Sequence, residues 1–160
     1  MKKASKGKPI KLFHYLALGA IFLAPQAANA GQINSMPKIL NLNAQANYTD
    51  IAGLPKDKKH VNSFRHQKHA EVYLKGMAKF SQNPYQDAFT CAACHPGASS
   101  RQELLSTPPG AELSAALNKK GGPGQLRNYF HNICRNCHKK MKKAGLATGP
   151  TNCKGCHGRK

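Results

Sequence analysis

Six cysteines stand in three pairs, and a histidine follows every pair: Cys91-Ala92-Ala93-Cys94-His95, Cys134-Arg135-Asn136-Cys137-His138 and Cys153-Lys154-Gly155-Cys156-His157. On one helical turn, positions i, i+3 and i+4 share a face, so two thiols and an imidazole address one object together. Cys-x-x-Cys-His is the haem c attachment signature, in which the thiols meet two vinyl groups and the histidine reaches the iron. Other uses of paired cysteines fit less of the pattern. Cys134, Cys137, Cys153 and Cys156 have the spacing of a zinc ribbon. Six cysteines in an exported chain also allow a disulfide framework. A thioredoxin-like redox pair needs a βαβ pattern, and none surrounds these motifs. None of the three accounts for a histidine after every pair, so the sequence predicts three haem c groups.

The N-terminus gives the compartment. Lys2, Lys3, Lys6, Lys8 and Lys11 precede an apolar stretch at residues 12–23, and Ala28-Asn29-Ala30 offers small residues for cleavage. That order is a secretory signal, and the apolar run is shorter than the roughly 20 residues a membrane helix needs. Residues 1–30 are therefore expected to be removed on export to the periplasm, with no stable membrane insertion afterwards. The signal carries five of the 25 basic residues and none of the six acidic ones, which leaves a formal charge of +14. No acid follows Glu112, whereas residues 119–160 contain eleven Lys and Arg. Such asymmetry suggests an anionic partner. Export and the lack of a groove-reading motif argue against nucleic acid, so an acidic protein is preferred.

There is no Trp, and Pro, Gly, Asn and Lys recur throughout. A chain of 130 residues with so few large apolar side chains has little to offset the entropy of ordering. Buried cofactors would supply the missing core.

An iron held by a motif histidine still has an open axial position, and what fills it sets the function. The available side chains are His60, His66, His69 and His131, with Met36, Met77 and Met141 as the sulfur alternatives. His14 leaves with the signal. His66 and His69 are spaced i, i+3 on one helix face, with Ser63 as the expected cap and Asn83-Pro84 as the expected stop. His131 stands one turn before the second motif. His60 lies in a charged run with Asp57, Lys58 and Lys59 and reads as exposed loop. His66, His69 and His131 are the expected distal ligands.

The order Phe64-x-His66-x-x-His69, three Cys-x-x-Cys-His motifs, His131 ahead of the second, and Gly149-Pro150-Thr151 before the third resembles the class III multihaem cytochromes c. The closest likeness is to the small trihaem, cytochrome c-seven type, over residues 62–160. The resemblance implies a mainly α fold with little regular secondary structure, organised around three covalently bound haems. It implies bis-histidine irons with His66 opposite His95, His69 opposite His138 and His131 opposite His157. Two features depart from the family pattern: His69 lies 22 residues before Cys91, and residues 97–124 form an insertion with a predicted helix at 111–118, ended by Gly121-Gly122-Pro123. The expected organisation is a signal at 1–30, an extension at 31–60 with one possible strand, and a trihaem domain at 61–160.

The expected place of His131 at the third haem also has a local reason. Residues 124–144 read as one helix up to Gly145, so His131 is fixed to the helix that carries His138. That helix runs along the proximal side of the second haem. His131 cannot reach round the ring and is expected to serve the third haem instead. All-histidine ligation leaves no vacant iron site, which favours electron transfer at low potential over catalysis. The expected function is a non-enzymatic periplasmic electron carrier of anaerobic respiration. Its expected partner is an acidic redox protein such as a periplasmic dehydrogenase, a hydrogenase or another cytochrome. A cytochrome subunit of a membrane respiratory complex, or a haem reductase with one open iron, are the other classes.

Overall fold

The computed structural model describes residues 35–56 and 59–158; the expected export signal, Asp57, Lys58, Arg159 and Lys160 lie outside them. Strand β1 (Leu40–Leu42) pairs antiparallel with β2 (Val61–Phe64), with Leu40 opposite Phe64 and Leu42 opposite Val61. Between them, α1 (Ala44–Asn47) is capped by Asn43, whose side chain accepts from the Ala46 N–H. Among the described residues the other regular elements are helical, so the fold is mainly α with one two-stranded sheet.

Helix α2 (His66–Lys68) continues directly into a π-helical turn, His69–Tyr73. Ser63 does not cap it. Strand pairing carries the chain through Ser63, whose N–H donates to Asn41 Oδ1 and whose φ of 56° marks the irregularity in the register. The helix begins after Arg65 without a side-chain cap. It also ends earlier than Asn83-Pro84, because Gly76 turns the chain at φ 70°. A 3-10 turn, Ala78–Phe80, follows, and another, Asp87–Ala93, leads into the first motif.

The insertion contains two helices, α3 (Arg101–Ser106) and α4 (Pro109–Asn118). The second is the expected helix, stopped by Gly121 and Gly122 at φ 102° and 98°. The first is marked by Ser100, whose hydroxyl accepts from the Glu103 N–H. A 3-10 turn, Pro123–Gln125, then opens a continuous helical run: α5 (Leu126–Phe130), a π-turn His131–Arg135, and α6 (Asn136–Lys143). The run ends at Gly145, φ 74°, as expected. Helix α7 (Cys153–His157) is the third motif itself and packs on β2.

Apolar packing does more than the composition implies. Ala44, Leu113, Leu117, Leu126 and Tyr129 form a buried cluster, flanked by Tyr48, Ile51 and Leu54. It joins the N-terminal extension, the insertion and α5 without a motif residue. The Asp50 carboxylate lies against Gly110 in the first turn of α4, close enough that any side chain there would overlap it. A carboxylate is favourable at that end of a helix. A second cluster, Phe80, Cys137 and Met141 with Met77 against it, holds α6 to the Ala78–Phe80 turn. Among the described residues no helix is long and apolar enough to cross a membrane.

Leu117 is fully buried in the first cluster. Leu117→Ala is expected to lower unfolding stability by about 2–5 kcal/mol in denaturant titration, with the visible haem absorption of the folded protein unchanged.

Candidate haem sites

Four of the six expected histidines face one another in two pairs. His66 in α2 faces His95, with ring centroids 6.3 Å apart and planes at 86°. His69, one turn on, faces His138 at 6.3 Å with planes at 35°. Two imidazoles on one metal, each nitrogen about 2 Å from it, have ring centres about 6.4 Å apart. The spacing of both pairs therefore fits an iron between them, and these are two of the three pairs the family resemblance names. His131 lies within electrostatic reach of His157.

Hydrogen bonds aim these rings. Nδ1 of His66 meets the Pro37 carbonyl at 3.1 Å, and Nδ1 of His69 meets that of Arg65 at 2.9 Å. His138 uses the Pro150 carbonyl at 2.9 Å and His157 the His60 carbonyl at 3.3 Å. His95 uses a carboxylate, Glu112 Oε2, at 2.8 Å. In each ring the Nδ1 proton is engaged and Nε2 is left as the lone-pair nitrogen, the arrangement that metal-binding histidines adopt. Phe64 packs on both distal rings, 6.0 Å from His66 and 4.5 Å from His69.

Electrostatics favour the neutral, ligating form. Burial lowers the pKa of His66, against an opposing bond to Pro37, and lowers that of His69 against its bond to Arg65. His131 is lowered first by burial, then by Arg127, Arg135 and His157. His60 is exposed and contributes its backbone carbonyl, not its ring, to these contacts. Met77 and Met141 are engaged in the second apolar cluster.

The π-turns change which way the histidines of one helix face. In a regular α-helix, seven residues make nearly two turns, so His131 and His138 would share a face. The π-turn at His131–Arg135 widens one turn by a residue and rotates them apart. A second π-turn starts at His69. Both begin at an expected distal histidine.

Cys91 and Cys94 share an open cavity with His66, His69, Leu74, Thr90, His95 and Leu104. Thr90 is fixed there by its hydroxyl donating to the Ala70 carbonyl. Cys94 lies near enough to Cys134 and Cys137 for their charges to interact, and Cys134 likewise to Cys156. Burial pushes the Cys134 thiol up to about 12 and that of Cys94 still further. Such apolar surroundings suit sulfurs that become neutral thioethers. All six cysteines are free of disulfides. Among the described residues no three His, Cys, Asp or Glu side chains gather around a common metal position, so the zinc-ribbon spacing is not drawn into a four-cysteine site.

The family model of the class III cytochromes c matches residues 43–157. The chain belongs to the class III cytochrome c family. No curated protein and no solved structure matches it significantly. Class III cytochromes are multihaem electron carriers with covalently bound haem c, and the attachment motifs of this one are described above. The match begins at Asn43, so it includes α1 and the segment whose Tyr48, Ile51 and Leu54 pack on the insertion.

Sequence reasoning missed the groups behind the histidines in this cytochrome. Gly149-Pro150-Thr151, noted only as a family likeness, cradles His138. A Cβ on Gly149 would lie 2.5 Å from its ring, the Pro150 carbonyl holds its Nδ1, and the Thr151 carbonyl accepts from Arg135 Nε at 3.2 Å. In the third motif, a Cβ on Gly155 would lie 2.5 Å from Pro150. The Glu112–His95 bond had no sequence signal beyond an acid in the insertion.

Gly149→Ala must displace the His138 ring or its own loop, and is expected to cost about 1–3 kcal/mol of stability in denaturant titration. Gly124→Ala is the control, since a Cβ there meets nothing within 4 Å, and it should leave stability nearly unchanged.

Proposed function

We propose that this class III cytochrome carries three haem c groups, each iron held by two histidines, and serves as a periplasmic electron carrier in anaerobic respiration. The observation that carries the reading is the 6.3 Å spacing in both the His66–His95 and His69–His138 pairs. Bound haems would supply reversible one-electron exchange, at low potential because histidine and not methionine completes the iron. Cys91 and Cys94, Cys134 and Cys137, and Cys153 and Cys156 would form the thioethers. His95, His138 and His157 would be the proximal ligands and His66, His69 and His131 the distal ones.

With six strong-field ligands in place, these residues close the iron to small-molecule substrates, so the reading is a carrier and not a reductase. The proximity of Cys94 to the second motif, and of Cys134 to the third, supports a short continuous path. Lys139, Lys140, Lys142 and Lys143 on α6 and Lys154 on α7 are exposed together with a half-buried Arg135. This cationic surface beside the second and third motifs suits an acidic redox partner, because transient redox complexes rely on small interfaces and electrostatic steering. Dehydrogenases, hydrogenases and other cytochromes of the periplasm are the partner class the family suggests.

His131→Ala tests the ligand assignment. The mass of residues 31–160 plus three haems should be retained, while one haem becomes high-spin in absorption and magnetic circular dichroism. That haem should be the one attached at Cys153 and Cys156. A variant that stays fully low-spin, or high-spin character at the second haem, would overturn the assignment.

A further inference from the structure

Four of the five oriented imidazoles donate to backbone carbonyls; His95 alone among them meets a charged acceptor. Glu112 Oε2 lies 2.8 Å from His95 Nδ1, and the other carboxylate oxygen accepts from the Gly97 N–H at 3.4 Å. The Glu112 side chain is 17% exposed. It stands in the first turn of α4, whose Leu113 and Leu117 are anchored in the apolar cluster. The carboxylate is therefore held in place by the insertion. Its negative charge is felt by Tyr48 and Tyr129, whose hydroxyl pKa values rise first through burial and then through Glu112.

We propose that Glu112 is a positioning and tuning residue for the first haem, holding its potential the lowest of the three. The inference rests on the reading that His95 binds the iron at Cys91 and Cys94. A ligand imidazole whose Nδ1–H is drawn to a carboxylate gains imidazolate character and becomes a stronger donor, as outer-shell partners do in metal sites generally. Stronger donation favours the ferric state. A fixed negative charge near the iron acts in the same direction, because the ferric state is the more positive one. Among the described residues the Nδ1 partners of His138 and His157 are neutral carbonyls. Around them the charges are Arg135, Lys139, Lys140, Lys142, Lys143 and Lys154, which favour the ferrous state. Arg101, whose charge reaches Cys91, is itself paired with Glu71, so the first motif and the other two are biased oppositely. The more easily reduced haems lie beside the cationic surface, where an acidic partner would dock.

The test is Glu112→Gln in the full trihaem protein, with stepwise redox titration followed by NMR of the His95 ring resonances. Glutamine can still accept the Nδ1 proton, so the fold and ligation should persist while the charge is lost. The expected result is an upward shift of the first haem's potential alone, with all three haems low-spin. Glu112→Ala removes the acceptor as well and should shift it at least as far. Unchanged potentials in both variants, with three low-spin haems, would overturn the role of Glu112 and leave the electron-carrier reading intact. If the wild-type iron at Cys91 and Cys94 proved not to be bound by His95, the ligand reading itself would fall, and this inference with it.

Discussion

Imidazole has two nitrogens, and a metal can use only the one whose lone pair is free and aimed. In this chain that choice is made by hydrogen bonds from Nδ1: His66 to Pro37, His69 to Arg65, His138 to Pro150, His157 to His60 and His95 to Glu112. The acceptors come from the N-terminal segment, the start of α2, the loop before α7, the approach to β2 and the insertion. Each histidine is thus oriented by a different part of the chain. The β1–β2 pairing that leads the backbone past His60 and into His66 therefore serves the histidine pairs as well as the fold. Gly149 belongs to the same constraint, since only a residue without a Cβ lets the Pro150 carbonyl approach His138 at this distance.

The two departures from the family pattern, the long step before Cys91 and the insertion at 97–124, converge on the first motif. Leu74 and Thr90 of the long step and Leu104 of α3 line its cavity, Glu112 of α4 bonds His95, and Leu113 and Leu117 tie α4 to α1 and α5. Apolar packing and haem attachment are therefore neighbouring jobs of one segment. A chain with no Trp and few large apolar residues concentrates its ordinary core here, and leaves the third motif, with exposed Cys153 and Lys154, in a thinner setting.

What was legible in the sequence follows from what has a side-chain signature. Cys-x-x-Cys-His marks the expected attachment positions, and the spacing of His66, His69 and His131 marks them as candidates. The α4 helix and its glycine stop, and the long run ending at Gly145, were readable from periodicity and φ-permissive residues. The acceptors behind the rings were not, because a carbonyl oxygen of Pro37, Arg65 or Pro150 carries no residue-specific mark. The π-turns at His69 and His131 were also hidden, since sequence periodicity cannot register one extra residue in one turn. Ser63 misled for a tertiary reason: pairing with β1 claimed it before the helix could use it as a cap.

The proposed function requires three irons, each fixed between two imidazoles, and the ferric protein reports that number directly. Low-spin ferric haem with perpendicular imidazoles gives an electron paramagnetic resonance signal with one large g value, while more nearly parallel planes give a rhombic one. The planes of His66 and His95 stand at 86°, those of His69 and His138 at 35°. Spin quantification should give three low-spin ferric haems per chain, at least one of each type, and no high-spin signal. A high-spin ferric signal at one or more haems, or fewer than three haem spins per chain, would contradict the account.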